Sequence, residues 1–121
     1  MLKPIQLLSQ CMLFSGLTEA QLVELADITN KRRCRKGETI FREADAGIGF
    51  YIIASGKVKV FKSSPEGKEQ ILHIFGRGEP IGEVPVFYGQ PYPASAEAMG
   101  ETELFFFPRP HFVALLEKNT S

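Results

Sequence analysis

The sequence predicts a mainly-β domain, a small β-barrel or double-sheet roll flanked by helices. Three observations carry this. From Lys36-Gly37 onward, short apolar runs recur between turn residues at roughly eight- to twelve-residue spacing, the rhythm of a sandwich or barrel. Lys57-Val58-Lys59-Val60 alternates strictly, so its valines face a core and its lysines water. Both ends of the chain switch to helical spacing. With 121 residues, 44% of them hydrophobic and 23% charged, the composition is that of one globular domain rather than a disordered segment.

Taken in order, the chain opens with a helical lead-in over residues 1–36. Its clearest start signal is Leu17-Thr18-Glu19-Ala20-Gln21-Leu22: Thr18 caps, Gln21 reaches back, and Leu17 staples onto Leu22. Leu22, Leu25 and Ala26 then give the helix one buried face. The β-roll follows over 37–108, with strands expected at Thr39–Arg42, Phe50–Ala54, Lys57–Phe61, Ile71–Phe75, Ala94–Met99 and Glu103–Phe107. Ala54-Ser55-Gly56, Ser64-Pro65-Glu66-Gly67, Gly76-Arg77-Gly78-Glu79-Pro80 and Gly100-Glu101-Thr102 supply the turns. After the Pro108-Arg109-Pro110 break, Phe112, Val113, Leu115 and Leu116 resume helical spacing. A single domain over 1–121 is the expected organisation.

Charge and cysteine content exclude several functions. The 14 basic residues balance 14 acidic ones, so no net field draws the chain to nucleic acid or to an anionic membrane. Lys31-Arg32-Arg33-Cys34-Arg35-Lys36 is the strongest charge run, and without interleaved aromatics it reads as a solvated connection between helix and barrel. Cys11 and Cys34 are too few for a disulfide framework or an iron–sulfur cluster, although basic neighbours would lower the Cys34 thiol pKa and suit a redox sensor. Pro4, Gln6 and Gln10 interrupt the start, leaving no apolar core for a signal peptide, and no segment approaches a membrane span. A cytoplasmic location is expected.

Catalysis finds no support. A cupin-type metal enzyme needs clustered histidines with a carboxylate, whereas His73 and His111 stand far apart, and neither a Ser-His-Asp elbow nor a Walker loop is present. The informative segment is Gly76 to Ala98, which breaks the strand rhythm with Ile81-Gly82-Glu83-Val84-Pro85-Val86-Phe87 and Tyr88-Gly89-Gln90-Pro91-Tyr92-Pro93. Gly82 permits close backbone approach, N–H groups after Glu83 would cradle an anion, and Glu83 would accept from a ligand hydroxyl. Read locally, the same residues favour a Gly-Glu turn with a solvated carboxylate over a ligand cradle. Phe87, Tyr88 and Tyr92 are either aromatic walls or barrel-mouth packing.

Asp45-Ala46, Tyr51 to Val60, Gly67-Lys68-Glu69, Gly82-Glu83, Pro93-Ala94-Ser95-Ala96 and Phe112 to Leu116, in this order and spacing, resemble the cyclic-nucleotide-binding domain of Crp/Fnr-type bacterial transcription regulators. The resemblance implies a jelly-roll β-barrel, or double-stranded β-helix, with a phosphate-binding cassette at Ile81 to Ala98. It implies ligand contacts by Gly82, Glu83, Val84, Ala94 and Ser95, to which the aromatic reading adds Tyr88 and Tyr92. It further implies a homodimer formed through a helix beyond residue 116, and DNA contact only through a separate domain absent from these residues. The same fold also serves as a binding module in other signalling proteins or as a stand-alone domain with a degenerate pocket.

One departure changes the expected ligand. Nucleotide-binding members place arginine before the small hydroxyl residue of the cassette, where it pairs with the cyclic phosphate; this chain has Ala94 there. Pro85 removes one further N–H from the cradle. Arg77 and Arg109 have no evident path to the pocket. A small effector other than cyclic AMP is therefore expected, with aromatic surroundings and little fixed charge. No cofactor is called for; haem would depend on His73 as its axial ligand, while His111 opens a helix and is assigned none.

Overall fold

A computed structural model describes residues 16–119. The lead-in before Gly16 lies outside the described residues. Helix α1 (Glu19–Asp27) begins as its sequence directs. The Thr18 Oγ1 accepts from the Gln21 N–H at 3.2 Å, and Gln21 Oε1 accepts from the Thr18 N–H at 2.9 Å. Leu22 and Leu25 are buried, and Leu17 packs against the same cluster.

Eight strands follow: β1 (Asn30–Cys34), β2 (Thr39–Phe41), β3 (Gly49–Ser55), β4 (Val58–Ser63), β5 (Glu69–Phe75), β6 (Pro80–Ile81), β7 (Ser95–Ala98) and β8 (Thr102–Pro108). They form two antiparallel four-stranded sheets, ordered β1-β8-β3-β6 and β2-β7-β4-β5. A six-residue helix α2 (Glu83–Tyr88) interrupts the roll, and α3 (Arg109–Asn119) closes the described chain. Pro110 sits in the first turn of α3, where its missing N–H costs nothing.

The helical part ends sooner than expected, at Asp27 rather than near residue 36. The basic run Asn30–Cys34 is a strand paired along its length with β8, not a solvated connection. Its alternation explains the difference: Lys31 and Arg33 are exposed while Cys34 turns inward, 3% exposed. Arg32, half-buried, donates to the carbonyls of Thr39 and Ile40 and to the Tyr51 hydroxyl at 3.0–3.1 Å. A charged side chain thereby fastens the edge of one sheet to the edge of the other.

The first sheet is buried on both faces. Phe50, Ile52, Phe105 and Phe107 face the helices and meet Leu22, Leu25, Val86 and Phe112. Tyr51, Ile53 and Leu104 point the other way, onto Ile40, Val58, Ala96 and Ala98 of the second sheet. A strand covered on both faces reads as a continuous apolar run, which is why Phe50 to Ile53 shows no alternation. The β4 valines do face inward, Val58 fully buried, while Lys59 bridges Glu69 at 2.7 Å and Glu97 at 3.3 Å.

The loop before β3 holds Ala44 at φ 73°, a left-handed conformation unfavourable for a residue with a Cβ. It is held there because the Ala44 N–H donates to the Tyr92 carbonyl and the Tyr92 N–H to the Asp45 carbonyl. Replacing Ala44 with glycine is expected to stabilise the fold by about 0.5–1 kcal/mol, strain relief outweighing the greater freedom of the unfolded chain. A urea midpoint that stays put or falls would contradict this.

Candidate functional site

The site grows from the turn after β6. There Tyr51 pairs with Ile81 and Ile52 with Pro80, which sets the chain beside β3. Gly82 then reverses direction at φ 75°, and a Cβ on it would lie 3.1 Å from both the Phe41 and Tyr92 rings. Glycine meets both demands. Helix α2 (Glu83–Tyr88) is capped by Gly89, itself at φ 66°. Arg109, assigned no role from sequence, donates from Nε to the Val86 carbonyl at 2.9 Å. A cation at the C-terminal end of α2 suits the helix dipole and ties the cassette to the start of α3.

Between this segment and the inner face of the second sheet lies a cavity of about 140 Å³. Phe41, Val60 and Phe75 form its sheet wall. Ile81, Gly82, Glu83 and Pro85 form the opposite wall, and Pro93 with Ala94 completes it. Three sequence-predicted site residues, Gly82, Glu83 and Ala94, are thus brought together.

The other predicted residues sit elsewhere. Ser95 does not line the cavity; its Oγ accepts from the Glu43 N–H at 2.9 Å, holding β7 to the loop after β2. Tyr88 is 74% exposed at the end of α2. Tyr92 is buried behind the wall, stacked on Phe41 with centroids 4.1 Å apart, and its hydroxyl donates to the Gly49 carbonyl. Burial pushes its phenol up to about 12. The side chains of Val84 and Phe87 lie outside the described ones. Phe41 and Phe75, unnoticed in sequence, supply the aromatic surface; Phe75 pairs with inward-facing Val58 and β2 shifts register between Thr39 and Phe41, neither of which the alternation of a single strand shows.

Among the described residues, Glu83 is the only ionisable one lining the cavity, and no salt bridge reaches it. Burial raises its carboxyl pKa above the ordinary 4.5, opposed by its own backbone N–H. The folded state thus holds the Glu83 proton more tightly than the unfolded state does. Stability from this group is present below the ordinary carboxyl value and is lost as pH rises through the folded value. Glu83→Gln is expected to remove that loss, stabilising the fold at neutral pH but not below the carboxyl range. Parallel urea titrations across pH check this, and an unaltered pH dependence would contradict it.

Neither Arg77 nor Arg109 lines the cavity, and neither does any other arginine or lysine among the described residues. His73 is exposed on the edge strand β5, with its ring 4.3 Å from that of Phe75. This arrangement does not fit haem: the sole proposed axial residue faces solvent, and the cavity falls below the roughly 300–1,000 Å³ typical of cofactor pockets. Among the described residues, no three potential metal ligands come together. The redox reading of Cys34 also fails, because burial raises its thiol pKa despite the opposing effect of Arg32.

A larger cleft of about 510 Å³ lies where β1 ends and β8 begins, around Cys34 and Thr102. Its charges are mixed, and Arg33 is paired with Glu103 at 3.1 Å. It has no convergent apolar wall, so the smaller cavity is the better ligand site.

A two-sheet antiparallel roll with a short helix inserted before β7 defines the class, and the chain belongs to the cyclic nucleotide-binding domain family, whose model matches residues 31–119. It is 33% identical over 106 residues to the cyclic AMP receptor protein of Thermus thermophilus, covering 88% of this chain and 49% of that one. The chain spans about half the length of the curated relatives it matches. The sensor domain of the transcriptional regulator DNR from Pseudomonas aeruginosa superposes with a TM-score of 0.85 at 33% identity, covering 94% of this chain and 77% of that one. A regulatory subunit of a cAMP-independent protein kinase A from Trypanosoma brucei gives a TM-score of 0.84 at 28% identity, covering 93% and 42%. That structure carries three substitutions, one of them threonine to arginine, and is bound to cAMP in its A site. No helix among the described residues is long and apolar enough to cross a membrane.

Proposed function

We propose that the chain is the ligand-sensing domain of a Crp/Fnr-type transcription regulator whose effector is a small molecule other than a cyclic nucleotide. The observation that carries this is the cavity beside Gly82 and Glu83, where Ala94 takes the arginine position and none of the described residues that line it is basic. A cyclic phosphodiester entering it would lose its hydration against an almost wholly apolar wall with no guanidinium from the described residues to compensate it, which is unfavourable. Relatives named as transcription regulators support the regulatory context.

In this reading, effector binding biases the packing of α2. Arg109 passes that bias to α3, and a dimer helix and DNA-binding domain beyond it report the change. The cytoplasm is the matching location. Two tests separate the parts of the proposal. A helix-turn-helix encoded downstream of Ser121 supports the regulator, whereas a catalytic or membrane segment there would move the domain to another signalling context. For the effector, about 1 mM cyclic AMP or cyclic GMP should leave the melting temperature unchanged; a ligand at a hundredfold excess over its Kd would add roughly 2.7 kcal/mol, and such a shift would refute the reading.

A further inference from the structure

We propose that two copies of this chain join edge to edge through β5, antiparallel about a two-fold axis at Leu72, so that their second sheets run together as one. β5 ends the order β2-β7-β4-β5 and pairs only with β4 among the described residues. Its far side therefore presents a row of N–H and C=O groups with no strand among those residues to receive them.

The other three edges of the roll are blunted. β1 carries the exposed cations Lys31 and Arg33, β2 is three residues long and β6 only two. Charged or short edges pair poorly with a further strand. β5 has neither protection: it runs for seven residues without proline, and no aspartate, glutamate, lysine or arginine occurs from Gln70 to Phe75. Its one irregularity is the bulge that leaves Leu72 without a β4 partner, and the bulge does not withdraw the side chain. Ile71, Leu72 and Ile74 are each 44–50% exposed.

A second copy is the occupant this strand fits. An antiparallel pair about a two-fold sets the residues near the axis against themselves or their close neighbours, where any charge would meet its like. The uncharged middle of β5 avoids that and lets apolar side chains meet apolar ones. Further out, Glu66, Lys68 and Glu69 before the strand come beside Arg77 and Glu79 after it, so both signs are present on each side of the contact. A single strand pair buries less than the roughly 1,200 Å² of a standard interface, so a weak dimer is expected, with a Kd on the order of 0.1 mM. The contact lies on the second sheet and is independent of the effector reading and of any helix beyond residue 116.

Sedimentation equilibrium of the 121-residue chain over a concentration range spanning that Kd tests this. Leu72→Lys and Leu72→Glu are each expected to weaken the dimer at least about tenfold, because like charges then face each other at the axis and the leucine contact is lost. An equal mixture of the two variants is expected to recover it, which pairing with any other strand would not produce. Should either variant fail to fold, hydrogen exchange of the unaltered chain carries the test: the β5 amides that β4 does not bond should exchange more slowly as concentration rises. A chain that stays monomeric throughout overturns the proposal, as does a dimer indifferent to both variants or a mixture that stays apart. Protection of those amides that does not change with concentration overturns it too, and residues 1–15 of the same chain become the cover to test.

Discussion

Arginine in place of Ala94 is expected to raise the affinity for cyclic AMP by about ten- to a hundredfold, since a charge-assisted hydrogen bond contributes roughly 1.5–3 kcal/mol. Ala94 borders the cavity with its backbone fixed ahead of β7, so the new side chain starts from the wall. Lysine at the same position should recover less, because a point charge cannot present two parallel N–H donors to a phosphate. Titration of the two variants beside the unchanged chain measures the difference. Equal weakness in all three would show that the missing guanidinium is not what excludes the nucleotide.

The second large effect concerns the fold. Phe50→Ala is expected to cost about 3–5 kcal/mol, as for other buried phenylalanines truncated in cores. Phe50 is fully buried, stacks on Phe107 with centroids 4.6 Å apart, and meets Phe112 of α3 edge-on at 4.9 Å. The ring therefore joins β3, β8 and the C-terminal helix. Urea unfolding at constant m-value reads the loss, and a change below about 1 kcal/mol would contradict this view of the core.

Local chemistry was the legible part of the sequence. The capping box at Thr18 and Gln21 depends on residues three apart, and the alternation of Val58 with Lys59 on a single strand; both are realised as read. The strand β1 was hidden because its partner is β8, some seventy residues away, and a run of Lys and Arg masks the inward position of Cys34. A two-residue strand such as β6 has no period to detect. Gly82, Glu83 and Ala94 were legible through their resemblance to a family pattern, and they do converge.

The wall residues were not legible for the same reason as β1. Phe41, Val60 and Phe75 come from three strands and face one cavity only once sheet pairing is fixed. Tyr92 shows the opposite error. An aromatic residue in the cassette suggested a ligand wall, yet its hydroxyl found the Gly49 carbonyl across 43 residues and its ring slid behind Phe41. A buried phenol needs an acceptor, and the acceptor decided where it went. Arg109 likewise gained its role from Val86, 23 residues earlier in the chain.

Isothermal titration of the unaltered chain with cyclic AMP bears most directly on the cavity's chemistry. No heat of binding in the micromolar range is predicted, because the hollow beside Ala94 offers a phosphodiester an almost wholly apolar wall. A stoichiometric isotherm with micromolar Kd would show that this chain compensates the phosphate by another route, and would contradict the assignment of a different effector.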